Sequence, residues 1–213
     1  MTKRKITILD YGSGNIGSLV NIFRYIGADP RVVEQPDAIQ NDMAIILPGV
    51  GHFAHAVNNL ETTGFAGVLV DKVSAGVPLL GICVGMQLLF EKSEEGNAKG
   101  LGLLKGQVRC FDQAKMVKKL PLPNVGWRHA EPANDIGVSL LSNMPSRPKF
   151  YYVHSYHAQC SDPSDMIIAS EYGYRFTGAV ARDNVTGFQF HPEKSHVFGM
   201  TLLANWIERV DAE

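Results

Sequence analysis

The sequence predicts an α/β protein: an open, mixed but mainly parallel central sheet, helices on both faces, and an added antiparallel part. Three observations carry this. Short apolar runs alternate with helix-periodic stretches through roughly the first ninety residues. One run, Val77 to Ile82, is wholly apolar, as in a strand covered on both faces. After about Lys99 the alternation gives way to shorter strand candidates.

Taken in order, Ile6-Thr7-Ile8-Leu9 reads as the first strand. Asn15 to Gly27 carries Ile16, Leu19, Val20, Phe23 and Ile26 at helical spacing, with Gly27 as the stop. Arg31-Val32-Val33 is a short second strand, and Met43 to Leu47 a third, ended by Pro48-Gly49. Residues from about His52 to Ala75 read as helix, broken near Gly64. Val77 to Ile82 is the fourth strand, and Val84 to Phe90 opens the next helix. Further strands are predicted at Gln107–Phe111, Lys149–Val153, Met166–Ser170, Gly178–Arg182 and Thr186–Phe190. Thr201 to Val210 is a closing amphipathic helix. Glu91–Gly100 and Ala114–Asp135 read as loops.

The 213 residues are enough to bury a core, and they are expected to form one domain, 1–213. With 45% apolar residues and a net charge of −1, no basic surface invites nucleic acid or anionic membrane. The basic start Met1-Thr2-Lys3-Arg4-Lys5 lacks the apolar stretch of a signal peptide, and no run approaches the ~20 residues of a membrane span. The cysteines, Cys83, Cys110 and Cys160, are odd in number and widely spaced. That argues against a disulfide framework and fits a reducing cytoplasm. Cys110 and Cys160 read as inert structural residues. His52/His55 and His154/His157 lack the further ligands of a metal site and read as solvated or packing residues, so no metal and no cofactor is expected. Lys115, Lys118 and Lys119 read as a solvated loop.

Chemistry concentrates at Gly81-Ile82-Cys83-Val84-Gly85. A buried strand stops at a cysteine and a helix starts behind it. Glycines two residues either side allow a sharp turn that lifts the sulfur above the sheet, as in the serine-hydrolase elbow. The helix start favours a thiolate. His191-Pro192-Glu193 follows another apolar strand. His191 is the candidate base and acid, and Glu193 its orienter. Pro48-Gly49-Val50-Gly51 ends a buried strand and can aim backbone N–H groups into a cavity. Val50 and Gly51, with Val84 behind the nucleophile, are the candidate oxyanion hole.

These features together resemble the triad-type, class I glutamine amidotransferases, which share Pro-Gly-x-Gly, Gly-x-Cys-x-Gly-x-Gln and His-Pro-Glu. Within that family the chain is most similar to the glutaminase subunits of imidazole glycerol phosphate synthases, of histidine biosynthesis. The supporting stretches are Asp10 to Asn15 with Ser18, Leu47 to Gly51, Gly81 to Leu89, Pro123 to Trp127, Tyr152 to Tyr156 and Gln189 to Ser195. The likeness runs from about Ile6 to Asn205.

The resemblance implies roles. Cys83 attacks the carboxamide of glutamine to form a thioester. His191 protonates the departing ammonia and then activates water. Gly51, Gln87 and the Ser155-Tyr156 backbone hold the glutamine. The ammonia passes to a (β/α)₈-barrel cyclase or synthase partner in a heterodimer, and the chain alone is nearly silent. Asn15, Asn124, Gly126, Trp127, Arg128, Lys194 and Ser195 fall on the implied partner interface. The family commonly has His-Met-Gly-Trp-Asn where this chain has Asn124-Val125-Gly126-Trp127-Arg128. The run Ser195 to Met200 resembles a paralogous branch that supplies ammonia to a synthase amidating sugar nucleotides for surface polysaccharide. That branch, the glutaminase of pyridoxal phosphate synthesis (which the Tyr11–Asn15 and Gly126-Trp127 segments disfavour), a solitary cysteine hydrolase, and a non-catalytic interaction subunit are the alternatives. The last has no support in a chain that keeps Cys83, His191 and Glu193.

Overall fold

The computed structural model describes residues 4–40 and 44–212. Met1 to Lys3, and Met43 at the start of the predicted third strand, lie outside the described residues.

The first half alternates as predicted. It runs β1 (Lys5–Leu9), α1 (Ile16–Tyr25), β2 (Asp29–Val33), β3 (Ala44–Leu47), α2 (Phe53–Thr62), α3 (Phe65–Ser74), β4 (Leu79–Ile82) and α4 (Val84–Gln87). The long helical stretch does break at Gly64, whose φ of 79° suits only glycine at no cost. α1 buries Leu19, Ile22 and Phe23 along one stripe, which is why its apolar spacing was readable.

The second half runs β5 (Phe90–Ser93), β6 (Ala98–Lys99), β7 (Leu104–Cys110), β8 (Asn124–His129), β9 (Glu131–Pro132), α5 (Asp135–Leu140), β10 (Lys149–His154), β11 (Tyr156–Cys160), β12 (Met166–Glu171), β13 (Arg175–Arg182), β14 (Val185–Phe188) and α6 (His196–Ala212).

Three differences from the sequence reading have physical reasons. The helix behind Cys83 ends after one turn instead of reaching Phe90. The carbonyls of Leu88, Leu89 and Phe90 accept from Leu101, Leu104 and Gly102, so the chain turns into a strand. β5 and β6 occupy the expected loop 91–100, pairing Lys92 with Lys99 and Ser93 with Ala98. β8 crosses the expected loop 114–135 because it pairs antiparallel with β10, although its own residues are polar and glycine-containing. β11 and the short α5 were not predicted.

The main sheet has eight strands in the order β2-β1-β3-β4-β14-β13-β12-β9. β2, β1, β3, β4 and β14 are parallel, and β13, β12 and β9 extend the sheet antiparallel. β1 sits between β2 and β3, so the crossovers leave it in opposite directions. With right-handed connections, α1 then covers one face and α2 with α3 the other. β3 and β4 are buried at every residue, which explains their unbroken apolar character. The added part is a β11-β7-β5-β6 sheet, antiparallel except where β5 runs parallel to β7, and the antiparallel β8-β10 pair. Among the described residues, no helix is long and apolar enough to cross a membrane.

The carboxyl ends of β3, β4 and β14 lie side by side, and the loops leaving them converge at one rim of the sheet. That is where open α/β sheets place ligands.

Candidate active site

Cys83 leaves β4 with φ 56° and ψ −112°, a strained conformation for a residue with a side chain. The turn is possible because its neighbours are bare. A Cβ on Gly81 would come within 2.6 Å of the Gly85 carbonyl oxygen, and one on Gly85 would collide with the Leu47 carbonyl. A Cβ on Gly49 would strike the Gly85 nitrogen, so β3 and the elbow approach backbone to backbone. The Cys83 N–H is fixed on the Phe188 carbonyl at 2.7 Å.

Beyond β14, the backbone of His191 is held on both sides. Its N–H donates to the Tyr151 carbonyl at 2.9 Å, and its own carbonyl accepts from Ser195 Oγ at 2.6 Å. Ser195 Oγ in turn accepts from the Tyr151 N–H at 3.0 Å. His191 Nδ1 lies 2.7 Å from Glu193 Oε1, and both side chains are almost fully buried. Burial by itself would lower the His191 pKa. The charge and hydrogen bond of Cys83, then those of Glu193, outweigh it and raise the value to about 10. The sulfur and the carboxylate on either side thus both favour the protonated imidazole.

These groups open on a cavity of about 390 Å³, lined among others by Val50, Gly51, Cys83, Val84, Gln87 and His191. Ser155, Tyr156 and Lys194 line it too. The structure thus gathers all three predicted catalytic residues, the candidate oxyanion donors and the candidate glutamine contacts.

Several of these groups are already engaged. The Val84 N–H points to the Gly49 carbonyl at 3.3 Å, and the Val50 N–H donates to Ser13 Oγ at 3.1 Å. Two of the three candidate oxyanion donors, Val50 and Val84, are thus turned to internal acceptors. The Ser155 carbonyl accepts from Phe111 N–H, and the Tyr156 carbonyl from both His154 Nδ1 and Gln87 Nε2. Gln87 Nε2 also donates to Gln189 Oε1 at 3.1 Å, so both amide hydrogens of Gln87 are committed and only its carbonyl oxygen remains for a ligand.

Two expected partner-facing residues are corrected. Asn124 and Ser195 have no exposed surface: Asn124 bonds His154 and Arg128, while Ser195 clamps His191. Neither side chain is presented at the surface of this chain. Lys194 is exposed, and Asn15, Gly126, Trp127 and Arg128 are half-buried. The Trp127 ring stacks on His196 at 5.6 Å with Tyr151 at its edge.

The sequence reading gives Ser13, Tyr11 and Glu95 no role of their own and takes His154 as a solvated or packing residue; it is buried. Ser13 grips Val50, Tyr11 Oη donates to the Pro48 carbonyl at 2.6 Å, and His154 and Glu95 line the cavity. The Asp10–Asn15 and Tyr152–Tyr156 stretches stood out as motifs, but nothing local to them reveals which atom they hold. Cys110 and Cys160 are free thiols whose pKa burial pushes up, to about 11 for Cys160.

The description "Glutamine amidotransferase class-I" matches residues 7–210. The chain belongs to the class-I glutamine amidotransferase family. Among relatives of this amidotransferase is imidazole glycerol phosphate synthase subunit HisH 2 of Methanococcus maripaludis, 42% identical over 205 residues, covering 96% of this chain and 99% of that protein. Subunit HisH of Leptospira interrogans is 41% identical over 202 residues, covering 94% and 98%. At this level over nearly full length, the amidotransferase belongs to the HisH branch, the glutaminase subunits of imidazole glycerol phosphate synthase. The solved structure of PurLQS from Thermotoga maritima shares the fold with a TM-score of 0.74 at 18% identity, covering 98% of this chain and 100% of that one.

Proposed function

We propose that Cys83, His191 and Glu193 carry out the glutaminase half-reaction of this HisH-branch protein, and that a (β/α)₈-barrel cyclase partner consumes the ammonia. The observation that supports it most is His191, bonded through Nδ1 to the Glu193 carboxylate and lining one cavity with Cys83.

Cys83 Sγ, as thiolate, attacks the carboxamide carbon of glutamine. The C–N bond breaks as His191 gives its proton to the departing nitrogen, releasing ammonia and leaving a glutamyl thioester. Water then attacks the thioester, His191 takes its proton, and the C–S bond breaks to free glutamate and restore the thiolate. Glu193 holds Nδ1–H, so that Nε2 faces the reacting atoms. The Gln87 carbonyl oxygen is suited to the α-ammonium of the substrate. Backbone N–H groups of Val50, Gly51 and Val84 would stabilise the oxyanion once those of Val50 and Val84 are released from their present acceptors.

That last requirement explains a dependence on a partner: binding at the rim near Lys194 and Trp127 has to reorganise the loop at Val50. The partner forms a heterodimer with this chain, in the cytoplasm, where Cys83 stays reduced.

The test is glutamate release by the chain alone and with an imidazole glycerol phosphate synthase barrel carrying its ligand. Strong stimulation by the liganded barrel is expected, and Cys83→Ala should remove it by ~10⁴-fold or more while the fold persists. Residual activity of Cys83→Ala near wild type rules out the nucleophile. Absence of stimulation, with Cys83 still labelled by a glutamine-mimicking alkylating agent, rules out this partner.

A further inference from the structure

A continuous hydrogen-bond chain runs from the half-buried Arg128 to the wall of the glutamine cavity. Arg128 Nε donates to Asn124 Oδ1 at 2.8 Å. Asn124 Nδ2 lies 3.1 Å from His154 Nε2, and His154 Nδ1 lies 2.7 Å from the Tyr156 carbonyl. Gln87 Nε2 donates to that same carbonyl at 3.0 Å.

The direction of every link is determined by chemistry. A guanidinium only donates, so Asn124 presents its oxygen to Arg128 and its NH₂ to His154. An NH₂ only donates, so His154 Nε2 accepts and carries no proton. A carbonyl only accepts, so the His154 proton is on Nδ1. The histidine is therefore a neutral, single tautomer with both nitrogens satisfied. Burial agrees, lowering its pKa to about 3 against the opposing pull of the Tyr156 carbonyl.

The chain sits where it can set geometry. Asn124 and His154 face each other across the β8–β10 ladder. His154 is walled by Phe111, Tyr152 and Phe176, with ring centroids 5.2 to 5.4 Å away. Arg128 is anchored by the Trp127 and Val125 carbonyls and lies 4.7 Å over the Tyr172 ring. His154 bonds the carbonyl two residues ahead, so it fixes the bend at Ser155 that forms the cavity wall.

We propose that Arg128, Asn124 and His154 are positioning residues: they hold the Ser155–Tyr156 wall, and through the Tyr156 carbonyl the Gln87 side chain, in the geometry that binds glutamine. The proposal rests on the glutaminase reading above.

The experiment uses the full chain with its synthase partner at saturating concentration for each variant. Arg128→Met keeps the stem over Tyr172 and removes the donor; Asn124→Leu keeps the volume and removes both central links. Glutamine KM is expected to rise ~10-fold in Asn124→Leu and ~3- to 5-fold in Arg128→Met, the size of buried hydrogen bonds lost, with kcat within about twofold. Labelling of Cys83 by a glutamine-mimicking alkylating agent should slow in proportion, while labelling by iodoacetamide is unchanged. Unchanged KM and labelling in folded variants overturn the proposal, as does equal slowing with both reagents, which marks general disorder. If Asn124→Leu does not fold, Arg128→Met decides. A wild-type chain that neither releases glutamate nor reacts with the mimic overturns the glutaminase reading itself.

Discussion

Ser13 grips Val50 at both ends of one peptide residue. Its Oγ accepts from the Val50 N–H at 3.1 Å and donates to the Val50 carbonyl at 2.9 Å. The Val50 N–H, a candidate oxyanion donor, is thereby tied to a side chain from the loop after β1. Tyr11, from the same loop, holds the Pro48 carbonyl.

Ser13→Ala removes both bonds at Val50. Each is worth about 1 kcal/mol, so removing both frees the loop by about 2 kcal/mol, a factor of ~30. Partner-free glutamate release should rise by several-fold, and the stimulation by the partner should shrink correspondingly. A variant with unchanged partner-free turnover would mean that Ser13 does not restrain the oxyanion donor.

Glu193→Gln replaces the carboxylate with an amide that carries no charge and can present its NH₂ to Nδ1. The His191 pKa should fall from its raised value, and glutamate release should drop by ~10² to 10⁴-fold, with the thermal midpoint changed by only a few degrees. Steady-state turnover with the partner present, together with an NMR titration of the imidazole, checks both halves. Near wild-type turnover would remove Glu193 from the catalytic group.

Trp127→Ala strips a ring packed against His196 and Tyr151, with Lys149 Nζ 5.6 Å from its centroid. Partner affinity should weaken by ~5- to 100-fold, as for an aromatic anchor at an interface. Calorimetric titration of the partner measures it. A large fall in melting temperature with unchanged affinity would instead make Trp127 a core residue.

The two buried histidines of the site respond to pH in opposite senses. His154 is depressed to about 3 from 6.5, first by burial, so the unfolded chain takes the proton before the folded one. Its contribution to stability is whole above pH 6.5 and declines as pH falls toward 3. His191 is raised from 6.5 to about 10, so its contribution is whole below 6.5 and is lost as pH rises through about 10. Ring-proton NMR should show His154 without titration above pH 5 and His191 still protonated at pH 8. A His154 titrating near its ordinary value would contradict the neutral tautomer in the hydrogen-bond chain.

The strand–helix alternation, the elbow at Cys83 and the His191/Glu193 pair were legible because each is a local pattern. The apolar runs of β3 and β4 report burial on both faces, and Gly81 and Gly85 mark places where a Cβ has no room. β8 was not legible. Its polar residues and Gly126 look like loop, and only pairing with β10 makes them a strand.

Side-chain direction in the site belongs to the tertiary structure. Asn124 and Ser195 sit in motifs that suggested an exposed role, yet both are enclosed, one bonding His154 and the other clamping His191. Ser13 lies 37 residues from Val50, and Gln87 lies 69 from the Tyr156 carbonyl it bonds. A thiol, an imidazole and a carboxylate at the ends of strands can be read from local residue pattern alone. Which donors are occupied and which polar groups are buried follows from long-range packing. Periodicity and glycine placement are short-range properties of a chain, whereas a hydrogen bond is made with whatever the fold brings within about 3 Å.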